Sequence, residues 1–256
     1  MQGDGKRTLS VDIGGTGIKM LVLDGTGKPL CARLRHLTPR PASPAAVLTT
    51  LRAMVTELPH FERVSVGFPG IVQRGTVKTA PNLDTALWRD QPFQARLEDE
   101  FKCPVRVIND CDLAGCGVVQ GSGVELVVTL GTGMGGALFT DGHLVPNLEL
   151  GHHPFEKGKT YEQRVSDAEL KRIGKARWNE RVARVIAQLE PIFNYDVLHI
   201  GGGNAKKIRL ELPPNVRLFP SEAGLAGGLR LWNRDAPRVP ETRSGAAVVA
   251  LSGSAA

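Results

Sequence analysis

Aromatic residues are scarce in this chain, 5% of 256, and no basic stretch carries aromatics between its charges. A platform that stacks single-stranded bases needs both, so a nucleic-acid partner is not expected. Long apolar runs are missing as well. None approaches the ~20 residues that span a bilayer, and the opening Met1-Gln-Gly-Asp-Gly-Lys-Arg7 lacks the apolar core of a signal peptide. These absences predict a cytoplasmic protein with no membrane partner. The four cysteines, Cys31, Cys103, Cys111 and Cys116, form no Cys-x-x-Cys pair and match no histidine spacing. They read as reduced thiols and leave a structural zinc site without ligands.

The remaining composition is that of an ordinary globular protein, 41% hydrophobic and 23% charged. Its length is enough for one domain or two small lobes. A net charge of +6 favours an anionic ligand without naming it.

Two glycine-rich segments carry most of the chemical information: Asp12-Ile-Gly-Gly-Thr-Gly17 and Leu130-Gly-Thr-Gly-Met-Gly-Gly136. Each follows an apolar strand-like run and leads into another, which predicts a hairpin whose tight turn exposes backbone N–H groups to a polyanion. Taken singly, either is also what an ordinary hairpin turn looks like. Neither ends in Gly-Lys-Ser/Thr, and neither leads into a helix, so a Walker A loop and a Rossmann fingerprint are both excluded. Asp12, Thr16 and Lys19 around the first turn supply types that hold a hydrated metal, donate to a phosphoryl oxygen and neutralise charge. Thr132 occupies the corresponding place in the second.

Strands are predicted over Thr8 to Ile13, Ile18 to Leu23 and Pro29 to Leu34, with Asp24-Gly-Thr-Gly27 as a turn. Ser43 and Pro44 read as cap and first turn of a helix to about Glu57. A strand follows from Arg63 to Phe68, a helix from Phe93 to Phe101, a strand from Val105 to Ile108 and a helix from Asp110 to about Gln120. The pattern then restarts: Leu126 to Leu130, the second glycine turn, Ala137 to Thr140, Asp141-Gly142, and His143 to Val145. This echoes the first meander 117 residues later, counting Gly14 to Gly131. Trp178, Val182, Val185, Ile186, Leu189, Ile192 and Phe193 recur at helical spacing and read as core. Val197 to Ile200 is a strand running into Gly201-Gly-Gly-Asn204, and Ser221 reads as the cap of a last helix to about Trp232. The tail from Asn233 to Ala256 is expected to be disordered.

This order of strands and glycine turns resembles the sugar-kinase, Hsp70 and actin superfamily. Its members are α/β proteins with a two-lobed, actin-like ATPase architecture of RNase-H-like folds, mixed sheets and an interlobe cleft. Within it the chain is similar to the ROK family, and there to its zinc-free polyphosphate glucokinase branch. The residues that carry the resemblance are Asp12 to Lys19, Gly67-Phe-Pro-Gly70, Asn82 with Trp88, Asn109-Asp110, Leu130 to Phe139, Pro146-Asn-Leu-Glu-Leu-Gly-His152 and Gly201 to Gly203. Many ROK kinases carry a cysteine-rich zinc segment after this histidine; here Pro154 to Lys159 holds none.

The resemblance implies a hexose kinase that phosphorylates glucose with inorganic polyphosphate, ATP or both, using magnesium and no zinc, as a homodimer. It assigns Asp110 as the base for the sugar's primary hydroxyl, with Gly70, Asn82, Asn109, Glu149, His152 and Glu162 around the sugar. Asp112 is the alternative to Asp110, and His153 to His152. A carboxylate that opens a helix is, taken alone, also what the helix dipole favours. Asp12, Gly14, Gly15, Thr16, Gly17, Lys19, Gly131, Thr132 and Gly133 are expected to grip phosphates, with magnesium near Asp12. Gly201, Gly202 and Gly203 are expected to border the adenosine or the outer phosphates. Lys206 and Lys207 read equally as an extension of a polyanion track and as solvated lysines. The lobes are expected at 6–109, completed by the helix 221–232, and at 110–220. ATP-only glucokinases, mannokinases and fructokinases fit the same cradle. A non-catalytic sugar sensor is the rival class, but about seven residues before the first strand leave no room for a winged helix.

Overall fold

The computed structural model describes residues 5–232, and the expected disordered tail lies outside them. The chain opens with β1 (Thr8–Ile13), β2 (Gly17–Leu23), β3 (Leu34–Leu37), α1 (Pro44–Val55), β4 (Arg63–Phe68), β5 (Val72–Gln73), β6 (Thr76–Val77), α2 (Thr85–Trp88), α3 (Phe93–Phe101), β7 (Val105–Asn109) and α4 (Asp110–Val118). It continues with β8 (Val124–Leu130), β9 (Met134–Thr140), β10 (His143–Val145), a 3-10 turn at Leu150–His152, β11 (Pro154–Glu156) and β12 (Lys159–Thr160). Then come α5 (Tyr161–Val165), α6 (Asp167–Ile173), α7 (Lys175–Phe193), β13 (Val197–Gly201), a 3-10 turn at Ala205–Lys207, β14 (Val216–Leu218) and α8 (Ser221–Arg230).

Two mixed five-stranded sheets share one plan, in the orders β3-β2-β1-β4-β7 and β10-β9-β8-β13-β14. In each, an antiparallel meander is extended by two parallel strands, so the repeat legible in the sequence is also a repeat of topology. β1 and β4 are central strands and are buried along almost their whole length, as parallel strands covered on both faces must be. On one face Leu9, Val11, Val64, Val66 and Phe68 pack with Val47, Leu51 and Met54 of α1 and with Phe93 and Leu97 of α3. Each such side chain contributes ~1.5–3 kcal/mol on burial.

The other face is lined by small residues so that helices sit close. Ser65 donates to the Gly228 carbonyl at 2.6 Å, and a Cβ at Gly228 would stand 2.5 Å from Ser10 Oγ. The last helix, α8, therefore returns to β1, β2 and β4 of the first sheet, while α4 packs on both sheets and on α8. Leu113, Cys116 and Val119 around α4 meet Val127, Ala137 and Phe139 of the second sheet.

Several boundaries differ from the sequence expectation. The third strand lies at Leu34–Leu37 and not at Pro29 to Leu34, because Asp24 Oδ1 accepts from Thr26 N and Lys28 N and winds a longer turn. Pro29 has no N–H and makes only an isolated bridge to Leu23. The strand expected from Ala137 begins at Met134, since Gly135 and Gly136 already pair with Thr129 and Val128. Ser43 caps α1 as expected, accepting from Ala46 N at 3.2 Å. Ser221 opens α8, whose cap position belongs to Pro220. On α7 the periodic residues from Trp178 to Leu189 are buried as predicted, but Ile192 is 52% exposed. Trp88 is core: it is fully buried, packs against Phe68 and Phe93, and donates to the Ala42 carbonyl.

Candidate active site

A cleft of about 460 Å³ runs between the hairpin turns of the two sheets and the N-terminus of α4. Every glycine of the first turn, Gly14, Gly15 and Gly17, lines it with Asp12, Thr16 and Lys19. Gly14 N donates to Gly17 O at 3.0 Å and closes the turn. Thr38 Oγ1 donates to Gly14 O and Arg40 Nη2 to Gly15 O, both at 2.5 Å, so the carbonyls are held outward by the segment after β3. Lys19 Nζ pairs with Asp12 Oδ2 at 2.6 Å across adjacent β-strands.

The second turn, Gly131-Thr132-Gly133, lines the opposite side. Its carbonyls are also occupied: Asp167 N donates to Gly131 O at 2.8 Å and Asn204 N to Leu130 O at 2.9 Å. Glu162 Oε2 accepts from Met134 N at 3.2 Å and fills the space a Cβ at Gly133 would need, 1.9 Å away. With carbonyls engaged behind it, a glycine turn offers an incoming anion its N–H groups. Gly202 and Gly203 border this side, but Gly201 does not: it packs beneath the Phe219 ring, which a Cβ there would meet at 2.2 Å. Lys206 lies outside the cleft, whereas Lys207 reaches Asp167 of its wall at 3.5 Å.

The third wall is acidic. Asn109 caps α4, its Oδ1 accepting from Cys111 N at 2.8 Å and Asp112 N at 3.2 Å, a cap worth ~1 kcal/mol. Its Nδ2 donates to Gly70 O at 3.2 Å and joins α4 to the turn after β4. Asp110, the first helical residue, is half-buried on the cleft floor, with Oδ1 accepting from Cys111 N at 2.8 Å. Burial first, then the charge of Asp12, and after them Asp112 and Glu149, push its carboxyl up to about 8; the Cys111 N–H works the other way. Asp112 faces away from the cleft and is 1% exposed. Burial, aided by Glu149 and opposed by the Asn147 N–H, raises its carboxyl to about 7.

Glu149 and His152 lie together on the cleft wall, Oε2 to Nδ1 3.5 Å apart, and burial raises the Glu149 carboxyl. Asn82 and Gly70 complete this side, Asn82 lying directly over Gly15. His153 is turned away; its Nδ1 is 2.9 Å from the Pro154 carbonyl and it does not line the cleft. The cleft thus brings together every expected residue except Gly201. One wall of carboxylates suits a neutral ligand rich in hydroxyl donors, and two N–H turns with Lys19 suit an anion beside it.

Three cleft residues escaped the sequence reading. Arg35 places its Nε and Nη2 about 3.1 Å from where a Gly17 Cβ would stand, next to its strand partner Lys19. It lay outside the strand expected at Pro29 to Leu34, so its register with Lys19 was not visible. Asp167 and Asn204 reach the second turn through backbone N–H groups, for which a sequence has no signature, and Asn204 Nδ2 adds a contact to Gly131 O at 3.4 Å.

Magnesium uses one or two carboxylates together with waters and phosphate oxygens. Asp12, whose Oδ2 is engaged by Lys19, is a cleft carboxylate of the type that could take part in such a site. Among the described residues no group of three or more His, Cys, Asp or Glu side chains is arranged to hold a metal ion. No helix among them is long and apolar enough to cross a membrane.

Residues 8–161 match the model of the ROK family. The chain is 32% identical over 219 residues to a polyphosphate glucokinase of Mycobacterium leprae, covering 81% of this chain and 66% of that protein. It is 32% identical over 207 residues to the polyphosphate glucokinase of Mycobacterium tuberculosis strain CDC 1551 / Oshkosh, with 77% of each covered. The structure superimposes on the inorganic polyphosphate/ATP-glucomannokinase of Arthrobacter sp. strain KM with a TM-score of 0.79 and 35% identity, covering 88% of this chain and 97% of that one. That neighbour brings the two-lobed, actin-like architecture of the ROK sugar kinases with it. The chain, with its paired glycine turns, its Asn109-Asp110 cap and its Glu149-Leu-Gly-His152 wall, belongs to the ROK family.

Proposed function

We propose that the protein is a hexose kinase that phosphorylates the primary hydroxyl of glucose, with Asp110 as general base and inorganic polyphosphate, ATP or both as donor. The observation that carries this reading is the setting of Asp110. A carboxyl pushed up to about 8 stands between a wall of hydrogen-bonding side chains and two N–H turns. Its relatives named polyphosphate glucokinase, and a structural neighbour that uses polyphosphate and ATP, support the substrate classes.

In this reading the carboxylates of Glu149 and Asp110 accept from sugar hydroxyls, and Asn82, Asn109 and His152 fix the rotation of the ring. Holding the primary hydroxyl beside the terminal phosphoryl group turns a bimolecular step into a local one. As the hydroxyl oxygen attacks phosphorus, its proton passes to Asp110, whose raised basicity lies near the working pH and favours the transfer, while the bond from phosphorus to the bridging oxygen breaks and releases ADP or the polyphosphate shortened by one unit. Charge building on the phosphoryl oxygens meets the N–H groups of the two turns and the Lys19 ammonium. Magnesium, held near Asp12 and the donor phosphates, supplies charge neutralisation when bound. Glu162 braces the second turn through Met134 N and offers its other oxygen to the sugar.

The proposal also takes the lobes as 6–109 with 221–232, and 110–220. It takes the cytoplasm as compartment, on the ground that all four cysteines are free thiols. The test is a panel of glucose, mannose and fructose, each with magnesium–ATP or long-chain polyphosphate. Turnover of glucose with at least one donor is expected. No turnover with any pair would refute the kinase reading and favour the sugar sensor.

A further inference from the structure

The segment after β10 is tied to two neighbouring segments by one residue, through its side chain on one side and its backbone N–H on the other. Asn147 Oδ1 accepts from Val72 N at 3.0 Å, and Asn147 Nδ2 donates to Val72 O at 3.1 Å. The amide thus pairs with the β5 backbone as a neighbouring strand residue would. The Asn147 N–H donates in turn to Asp112 Oδ2 at 3.2 Å. Asn147 has φ +61°, a left-handed conformation that asparagine tolerates better than most residues. Asp112 is almost wholly buried, and its Oδ1 has no hydrogen-bond partner among the described residues. A buried carboxyl with one orphaned oxygen is costly to keep, so its bond to Asn147 N is not incidental surface polarity.

The spacing gives the arrangement its meaning. Asp112 lies two residues after Asp110, Asn147 two before Glu149, and Val72 two after Gly70. Each of the three cleft-wall segments is therefore tied into this linkage two residues away from its own cleft residue. Asn109 Nδ2 to Gly70 O closes the same triangle from the cleft side.

We propose that Asn147 and Asp112 are positioning residues, which lock the Glu149–His152 wall and the Gly70 turn in register with the helix that carries Asp110. Neither touches the substrate. They act by keeping three separate segments at hydrogen-bonding distance from one sugar, and the donor turns lie outside their reach. This inference rests on the hexose kinase reading. It assigns Asp112, the other carboxylate of the first turn of α4, to the scaffold and not to proton transfer.

The test compares Asn147→Gly, Asp112→Ala and Asp112→Asn with the wild-type chain, measuring KM for glucose and for the donor, kcat and thermal stability. Glycine at 147 keeps the left-handed backbone without strain and removes only the two bonds to Val72. Loss of two hydrogen bonds of ordinary net strength is expected to raise glucose KM about 10-fold or more, with donor KM within about twofold. Asp112→Ala is expected to behave likewise. Asp112→Asn retains an acceptor for the Asn147 N–H and is expected to stay near wild type in both KM and kcat. Unchanged glucose KM in Asn147→Gly and Asp112→Ala, whatever the stability change, would overturn the inference while leaving the kinase reading intact. A collapse of kcat in Asp112→Asn would also overturn it, because Asp112 would then be the base. Absence of any hexose turnover by the wild type would refute the kinase reading and this inference with it.

Discussion

In an Asp110→Asn variant the side chain keeps its shape and its acceptor for the Cys111 N–H, but the titrating carboxyl is gone. In the folded protein that carboxyl sits at about 8 against an ordinary 3.8, raised by burial, then Asp12, and then Asp112 and Glu149. The native state therefore holds a proton that the unfolded chain releases. The stability this provides is complete below the unfolded value and is lost as pH rises through the folded one. Between about pH 5 and about pH 8 the loss is at most ~4 kcal/mol, at ~1.36 kcal/mol per pH unit. Solvent reaching the exposed edge of Asp110 in the cleft reduces this to ~2 kcal/mol. Asparagine does not titrate, so the variant gains on the wild type as pH rises, by ~4–8 °C in Tm across that interval for a chain of this size. Meanwhile kcat for glucose phosphorylation falls by ~10²–10⁴, the usual share of a general base. Ligand-free thermal melts across the pH series, paired with steady-state rates at saturating substrates, read both quantities. A Tm difference that does not change with pH would rule out a raised Asp110 carboxyl, and a kcat within about threefold of wild type would rule out Asp110 as the base.

Glu149→Ala removes a half-buried acceptor of sugar hydroxyls and is expected to raise glucose KM by ~10-fold or more, the worth of one charged hydrogen bond. Because Glu149 is one of the charges that raise Asp110, the acid limb of kcat/KM also moves to lower pH in that variant. Arg35→Ala removes the guanidinium that lies over Gly17. It is expected to raise KM for long-chain polyphosphate more than for ATP, an effect that shrinks with added salt; equal changes for both donors would assign Arg35 to the first turn's conformation alone.

The hairpin turns were legible because glycine clusters between apolar runs leave few alternatives, and the repeat was legible because both meanders carry the same spacing. Helix caps were legible where the signal is local, as at Ser43. What escaped depended on register or on backbone partners. Arg35 enters the cleft only because β3 starts at Leu34, after a turn wound by the Asp24 carboxylate. Gly201 belongs to a glycine run whose members look alike in sequence, yet the Phe219 ring covers it and leaves its two neighbours at the cleft. Asp110 and Asp112 were equivalent as letters; the turn of α4 points one to the cleft floor and the other to Asn147. Asp167 and Asn204 hold the second turn through main-chain N–H groups, which every residue owns, with Asn204 Nδ2 adding a longer contact to Gly131 O.

In the proposed reaction the cleft delivers a phosphoryl group to the primary hydroxyl of a hexose held against Asp110. Phosphorus–proton correlation NMR of the product formed from glucose and magnesium–ATP, and separately from polyphosphate, reads the bond that was made. A single phosphate ester on the primary carbon is expected with at least one donor, and none above background with Asp110→Asn. An ester on a ring hydroxyl, or the same product at the same rate from the variant, would contradict it.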